Sequence, residues 1–250
     1  MKKVLNLYKK IGETPLERLY RFRTKNPKYK KEKMSYLGRL DPMAEGVLLV
    51  AVGEENKKRE RYLSLDKEYE FEALLGIKSD TYDTLGLVKF VNNGKLDKEK
   101  IREELSKFVG KRKQKYPTFS SKTINGVALF EMAKLGNIEK RPERDIEVYE
   151  TKILGFKKIR LANLEKKILN KINLVKGDFR QKETIKTWEK IFNSYRKKEF
   201  LTFRAKIKCS SGTYVRGVVN DVGENLGCGA ITLNIKRIKV GKYKINDSGK

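Results

Sequence analysis

A chain of 250 residues, 38% hydrophobic and 10% aromatic, has the material for one large core, which excludes a globally disordered protein. It carries 59 Lys plus Arg against 32 Asp plus Glu, a formal net charge of +27, and no fold needs such self-repulsion, so a polyanionic partner is expected. Histidine is absent altogether, which excludes Ser-His and Cys-His nucleophile pairs and His-ligated zinc, and leaves acid–base work to carboxylates, Tyr, Lys and Cys.

Residues 3–8 predict a short strand and 15–25 an amphipathic helix with Leu16, Leu19, Tyr20 and Phe22 largely on one side. A basic, helix-breaking stretch occupies 26–33. The continuous apolar run 46–52 (GVLLVAV) has the length of a buried strand. In 67–76, Tyr69, Phe71 and Ala73 alternate with Glu68, Glu70 and Glu72, the period of a half-buried strand. Residues 97–109 predict a helix, with Asp97 as its cap and Ile101, Leu105, Phe108 and Val109 at helical spacing. The chain then changes character at about 157–198, which holds 14 Lys plus Arg against four acidic residues. Leu161, Leu164, Ile168, Ile172 and Val175 have helical spacing, and so do Ile185, Trp188, Ile191 and Tyr195. Two basic helices inserted between strands are expected, with Lys166, Lys167, Lys171, Lys182, Lys186 and Lys190 largely outward. Such a segment either packs as a structural hairpin or contacts RNA phosphates. Residues 200–210 alternate again, and 216–227 read as a helix ending at Gly227. The whole predicts an α+β fold, one domain over 1–250 carrying this insertion.

No apolar run reaches the roughly 18 residues of a spanning helix, and MKKVLNLYKK has no signal-peptide core. Cys209 and Cys228 form no CxxC pair. A cytoplasmic protein with a nucleic-acid partner, and no membrane, is the expectation.

The segment SYLGRLDPMAEGVL (35–48) places Asp41 in a Gly- and Pro-punctuated loop before a buried strand. An Asp-Pro turn alone is usually only a turn. This one resembles the signature loop of the TruB-type tRNA pseudouridine synthases at Gly38, Leu40, Asp41, Pro42, Ala44, Gly46, Val47 and Leu48. The resemblance continues in order through DKEYEFEALLGIKSDTYDTLG (66–86), KYPTFSSKTINGVALFEMAKLG (115–136), CSSGTYVRGVVNDVGENLGCGA (209–230) and RIKVGKYKI (237–245). It implies a mixed, mostly antiparallel sheet with flanking helices, and isomerisation of a uridine in the T-loop of tRNA. The alternatives are an RNA chaperone that binds tRNA without catalysis, or the same chemistry on another RNA.

Pseudouridine formation breaks the C1′–N1 bond, turns the uracil and rejoins it through C5. It needs neither redox nor added water, so no cofactor and no metal are expected. By resemblance, Asp41 is the catalytic carboxylate, either bonding to C1′ or taking a proton at C2′. Tyr69 would stack on the uracil and help remove the C5 proton, Arg216 would pair with Asp41, and Asp83 would hold Arg216. Gly38, Arg39, Lys9, Ile235 and Tyr36 would bind substrate, Tyr36 standing where the family has a histidine. The chain is expected to lack the PUA-like domain into which family members continue; if the basic insertion contacts RNA rather than packing as a structural hairpin, it would substitute for that domain. A monomer acting on the T-arm without a protein partner is expected.

Overall fold

The computed structural model describes residues 3–92, 94, 96–136 and 141–249. The strands are β1 (Val4–Lys9), β2 (Met34–Tyr36), β3 (Ala44–Val52), β4 (Lys67–Leu75), β5 (Ile77–Ser79), β6 (Val88–Phe90), β7 (Gly110–Lys115), β8 (Thr123–Ile124), β9 (Val127–Ala128), β10 (Glu143–Arg160), β11 (Glu199–Cys209), β12 (Ala230–Val240) and β13 (Tyr243–Lys244). The helices are α1 (Pro15–Lys25), α2 (Arg59–Leu63), α3 (Lys98–Ser106), α4 (Leu129–Lys134), α5 (Ala162–Leu174), α6 (Gln181–Tyr195) and α7 (Val215–Asn225).

Nine strands form one sheet in the order β1-β3-β12-β4-β11-β10-β7, with β2 on β3 and β13 on β12. Every pairing in it is antiparallel except β3 with β12, so the expected mixed, mostly antiparallel sheet is what forms. Period-2 alternation puts Tyr69, Phe71 and Ala73 of β4 beside Phe203, Ala205 and Ile207 of β11, under α3 and α7. The other face buries Leu74, Phe200, Ile231 and Leu233 against α5 and α6. The apolar run in β3 lacks alternation because both its faces are covered. Leu48, Val50 and Val52 meet Leu19 of α1, while Val47, Leu49 and Ala51 meet Val240 of β12.

Local signals start the helices. Thr14 Oγ1 accepts from the Glu17 amide at 3.2 Å and Glu17 Oε2 accepts from the Thr14 amide at 2.7 Å, a capping box ahead of Pro15. Asp97 accepts from the Glu99 amide at 2.8 Å and caps α3.

Two sequence expectations need correction. The stretch 157–160 is not helical: Lys157–Arg160 continue β10 and pair with Thr202–Glu199 of β11. Bulges in β10 after Val148 and Ile153 break the alternation that would have announced this strand. Lys171 does not point outward. Its ammonium donates to Leu233 O at 2.9 Å and also to Asn234 Oδ1, and burial pushes its pKa down to about 8. Lys166, Lys167, Lys182, Lys186 and Lys190 are exposed, as expected.

The inserted helices are fastened to the sheet by more than their apolar stripes. Trp188 is 0% exposed, stacks on Phe192 at 5.3 Å and donates its indole N–H to Thr84 O at 3.0 Å. Thr184 Oγ1 donates to Leu85 O at 3.0 Å. Trp188→Ala should therefore cost about 3–5 kcal/mol, combining lost burial with a cavity. In thermal unfolding followed by circular dichroism this corresponds to a fall of roughly 10 °C. An unchanged midpoint would show that α6 does not unfold with the sheet.

Candidate active site

Asp41 lies in the loop between β2 and β3, and that loop is held from beneath. The Ala44 amide donates to Asp41 O at 3.0 Å, and the Gly12 amide donates to Pro42 O at 2.9 Å. Lys9, expected to meet substrate, does not reach the surface. It is 0% exposed, with its ammonium donating to Ala44 O at 2.6 Å and Lys10 O at 3.0 Å. Burial pushes its pKa down to about 8, against the pull of nearby Asp41. Its place in the site is thus to brace the Asp41 loop. The strand after the loop can approach β12 because Gly46 has no side chain: its φ is +111°, and a Cβ there would lie 2.2 Å from Arg237 O.

Arg216 comes from the first turn of α7 and is 3% exposed. Its Nε donates to Asp41 Oδ2 at 2.8 Å, Nη1 to Thr81 O at 2.7 Å and Nη2 to Phe119 O at 2.9 Å. Burial opposes the guanidinium charge, but Asp41 and Asp83 outweigh it and its pKa stays above the ordinary arginine value. Asp83 sits close enough to act on that charge, yet its carboxylate spends its hydrogen bonds elsewhere. Asp83 Oδ1 accepts from Thr81 Oγ1 at 2.6 Å and from the Leu85 amide at 2.9 Å. The expected hold on Arg216 therefore runs through Thr81, whose own carbonyl takes Nη1. Burial pushes the Asp83 carboxyl up, with Arg216 pulling the other way.

Asp41 lines a cavity of about 770 Å³ together with Gly38, Arg39, Tyr69, Ile235, Arg237 and Arg216 among others. The register explains this convergence. Ile235 pairs with Phe71 and Arg237 with Tyr69 across β12 and β4, so Tyr69, Ile235 and Arg237 share one face. Gly38, with φ +96°, brings backbone rather than a side chain to the rim. Burial raises the Tyr69 pKa, and the guanidinium of Arg237 works against that rise. Tyr36 lies outside this cavity. It lines a second one, of about 410 Å³, with the Arg39 guanidinium 5.9 Å from its ring.

Sequence reasoning passed over Arg237 and Lys67. Arg237 is 2% exposed, donating Nε to Val47 O at 2.8 Å and Nη1 to Arg39 O at 3.0 Å. Lys67 is buried, donates to Leu63 O at 2.7 Å and has its pKa pushed by burial to about 8. Both occupy inward positions of alternating strands, where a charged residue is a signal in its own right. Among the described residues, no group of three or more His, Cys, Asp or Glu could hold a metal ion.

Comparison with known proteins bears on this geometry. A family model described as TruB family pseudouridylate synthase (N terminal domain) matches residues 25–177. The tRNA pseudouridine synthase B of Clostridium kluyveri is 32% identical over 247 residues, covering 98% of this chain and 69% of that protein. That of Blochmanniella floridana is 32% identical over 212 residues, covering 85% and 67%. A solved structure of a Cbf5-Nop10-Gar1 complex has a chain that matches with a TM-score of 0.57 at 22% identity, a likeness of fold. The match covers 96% of this chain and 49% of that one, so this chain spans about half the length of the matched chain.

The hydrogen bonding of Asp83 sets up a contrast between two substitutions. Asp83→Asn keeps an oxygen for Thr81 and Leu85, so urea unfolding should move by about 1 kcal/mol or less. Asp83→Ala leaves both donors buried without an acceptor and should cost roughly 2–3 kcal/mol. Equal losses in the two variants would show that charge, not acceptance, is what the fold draws from this residue.

Proposed function

The chain belongs to the TruB family of pseudouridylate synthases, and from that membership we propose that it isomerises a uridine in the T-loop of tRNA to pseudouridine. The observation that carries this reading is the ion pair of Asp41 with a buried Arg216 at the mouth of a cavity that also holds Tyr69 and Ile235. A binding module has no use for a carboxylate paired with a buried guanidinium over a cavity of nucleoside size, whereas glycosidic chemistry does.

In the reaction the target uridine is first extruded from its stacked loop, at a cost of a few kcal/mol recovered in the pocket. Tyr69 and Ile235 then sandwich the uracil near Asp41. Arg216 keeps the carboxylate aimed, and Asp83, through Thr81, keeps Arg216 in place. Asp41 acts either by bonding to C1′ or by taking the C2′ proton, and both routes end in cleavage of C1′–N1. The freed uracil turns, C1′–C5 forms, the C5 proton leaves and N1 takes up a proton, so the product is an isomer. Burial raises the Tyr69 pKa and so makes its phenolate, the form that can act as base, harder to reach. Arg237, opposite it on β12, stabilises the phenolate that C5 deprotonation needs.

The proposal takes 1–250 as one catalytic domain with the helical segment inserted, acting as a monomer in the cytoplasm. Supporting it, no helix among the described residues is long and apolar enough to cross a membrane, and the charge of +27 suits a phosphate backbone.

Asp41→Asn should leave tRNA affinity near that of wild type and cut turnover below about 1%, a loss of roughly 3 kcal/mol of barrier stabilisation. Tyr69→Phe should bind normally and turn over more slowly. Pseudouridine mapping on tRNA from a strain lacking the enzyme and complemented with each variant reads both; near-normal modification with Asp41→Asn would remove Asp41 from the chemistry.

The exposed lysines give an independent test of the RNA contact. Replacing Lys166, Lys182, Lys186 and Lys190 by Gln should flatten the plot of log affinity against log salt by about 3, if each neutralises one phosphate. An unchanged slope would make the helical pair a purely structural element.

A further inference from the structure

The insertion does more than cover the back of the sheet, because α6 is bonded to the loop that stands behind Arg216. Trp188 and Thr184 donate to the carbonyls of Thr84 and Leu85, and Thr187 Oγ1 accepts from the Val88 amide at 3.2 Å. Thr84 and Leu85 follow directly on Asp83, and Thr81 of the same loop gives its carbonyl to Arg216 Nη1. The linker between α5 and α6 comes closer still: Asp178, Phe179 and Arg180 line the second cavity together with Asp41 and Arg216.

Arg216 has two carbonyl acceptors, Thr81 O and Phe119 O, on loops far apart in sequence, and Arg180 touches both loops. Its Nη1 pairs with Asp80 Oδ2 at 2.9 Å, one residue before Thr81, and its guanidinium lies 4.0 Å from the centroid of the Phe119 ring. Asp80 is itself anchored, its Oδ1 accepting from the Leu87 amide at 2.8 Å. The side chains of the pair are only 22% and 33% exposed. A planar guanidinium holds a carboxylate at its edge and a ring at its face, so one arginine ties the two loops together. The backbone is committed to this placement. Arg180 has φ +57°, a conformation that residues with a β-carbon seldom adopt and that persists where the surroundings hold it. Its amide donates to Asp178 Oδ1 at 3.3 Å, and its carbonyl accepts from the Thr184 amide at 2.9 Å.

We propose that Arg180 is a positioning residue for the reaction, fixing the spacing of the Thr81 and Phe119 carbonyls and, through them, the orientation of Arg216 toward Asp41. The donors of Arg216 lie in one rigid plane. A shift of either carbonyl therefore tilts the whole guanidinium and turns Nε away from Asp41 Oδ2, which it meets at 2.8 Å. Displacing a reacting group by about 1 Å costs up to about 100-fold in rate, even when the mutation is remote from the chemistry. Arg180 acts on the rate through these two loops, a role separate from any that the exposed lysines have in affinity. The insertion thereby enters the geometry of the catalytic pair. This rests on the isomerisation reading above, and its test includes a measurement that needs no turnover.

The test uses the full chain and three substitutions. Arg180→Met keeps an unbranched stem and removes the ion pair, Arg180→Lys keeps a cation for both partners, and Asp80→Asn breaks the pair while leaving an acceptor for the Leu87 amide. The rate is read in single turnover on unmodified T-arm stem-loop RNA at saturating enzyme, and affinity on the same RNA already carrying pseudouridine. Arg180→Met and Asp80→Asn should each slow the saturated rate roughly tenfold and change affinity by less than about twofold, with Arg180→Lys recovering most of the rate. A saturated rate within about twofold of wild type in Arg180→Met overturns the inference, even where its thermal midpoint falls. So does a loss confined to affinity with a salt slope flatter by about 0.7 to 0.9, which would make Arg180 a phosphate contact. Should Arg180→Met not fold, Asp80→Asn decides by the same criteria. The measurement without turnover is the Arg216 Nε–H resonance, assigned by its absence in Arg216→Lys. It should shift or broaden in Arg180→Met and return in Arg180→Lys, and an unmoved resonance overturns the inference whatever the rate. A wild type that gives no turnover but whose resonance responds sinks the isomerisation and keeps the positioning role; turnover with an unmoved resonance does the reverse.

Discussion

A guanidinium buried to 3% exposure is tolerable only if acceptors surround it, and the acceptors around Arg216 come from three separate places in the chain. Asp41 follows β2, Thr81 follows β5, and Phe119 precedes β8. None of these loops is near another in sequence. What assembles them is the requirement that one buried cation be satisfied. The same requirement leaves Asp41 with one oxygen bonded inward and the carboxylate partly exposed, at 38%, to the cavity. A charge that the core must hold in place therefore doubles as the device that aims the reactive group.

The sheet supplies the rest by register. Pairing of Arg237 with Tyr69, and of Ile235 with Phe71, sets three side chains of two strands against the same space. The parallel contact of β3 with β12 brings the Asp41 loop over that face, and it depends on the missing side chain at Gly46. A β-carbon at that one position would separate the strand carrying the carboxylate loop from the strand carrying Ile235. Lys9 contributes from the neighbouring strand, its ammonium fixed under Ala44 at the loop's end. Buried cations thus recur in the same neighbourhood, Arg216, Lys9, Arg237 and Lys67, each tied to backbone carbonyls.

Much of this was legible in the chain. Alternation through Tyr69, Phe71 and Ala73 located β4, the apolar run located β3, and the capping residues Thr14 and Asp97 located two helices, because each signal is local. Resemblance picked out Asp41, Arg216 and Asp83 in order along the chain, and the fold brings those three together with Thr81. Three kinds of fact stayed hidden. Bulges at Val148 and Ile153 erased the period of β10, so its end was taken for helix. Lys9 was expected to bind substrate and Lys171 to point outward; only tertiary packing shows that each reaches carbonyl oxygens below the surface. Nor does any sequence pattern reveal that residues 178–180 return to the groove beside Asp41, since that depends on the angle at which α5 and α6 leave the sheet.

That departure has a topological side. The insertion leaves and re-enters the sheet at one point: the Leu161 amide bonds to Lys198 O at 3.2 Å, and the Ala162 amide to Arg196 O at 3.2 Å. Strands β10 and β11 are thus an ordinary hairpin whose tip has been lengthened by two helices, and a tight turn would close the same ladder without altering a single pairing. Yet the helices cover Phe200, Leu74, Ile231 and Leu233. A sheet that could be drawn without them would present those four side chains to water. The segment has therefore become a dependency in one direction only. The strands' ladder does not run through the helices, but the apolar face behind them depends on their cover, so a shortened variant must change its sheet residues along with its loop.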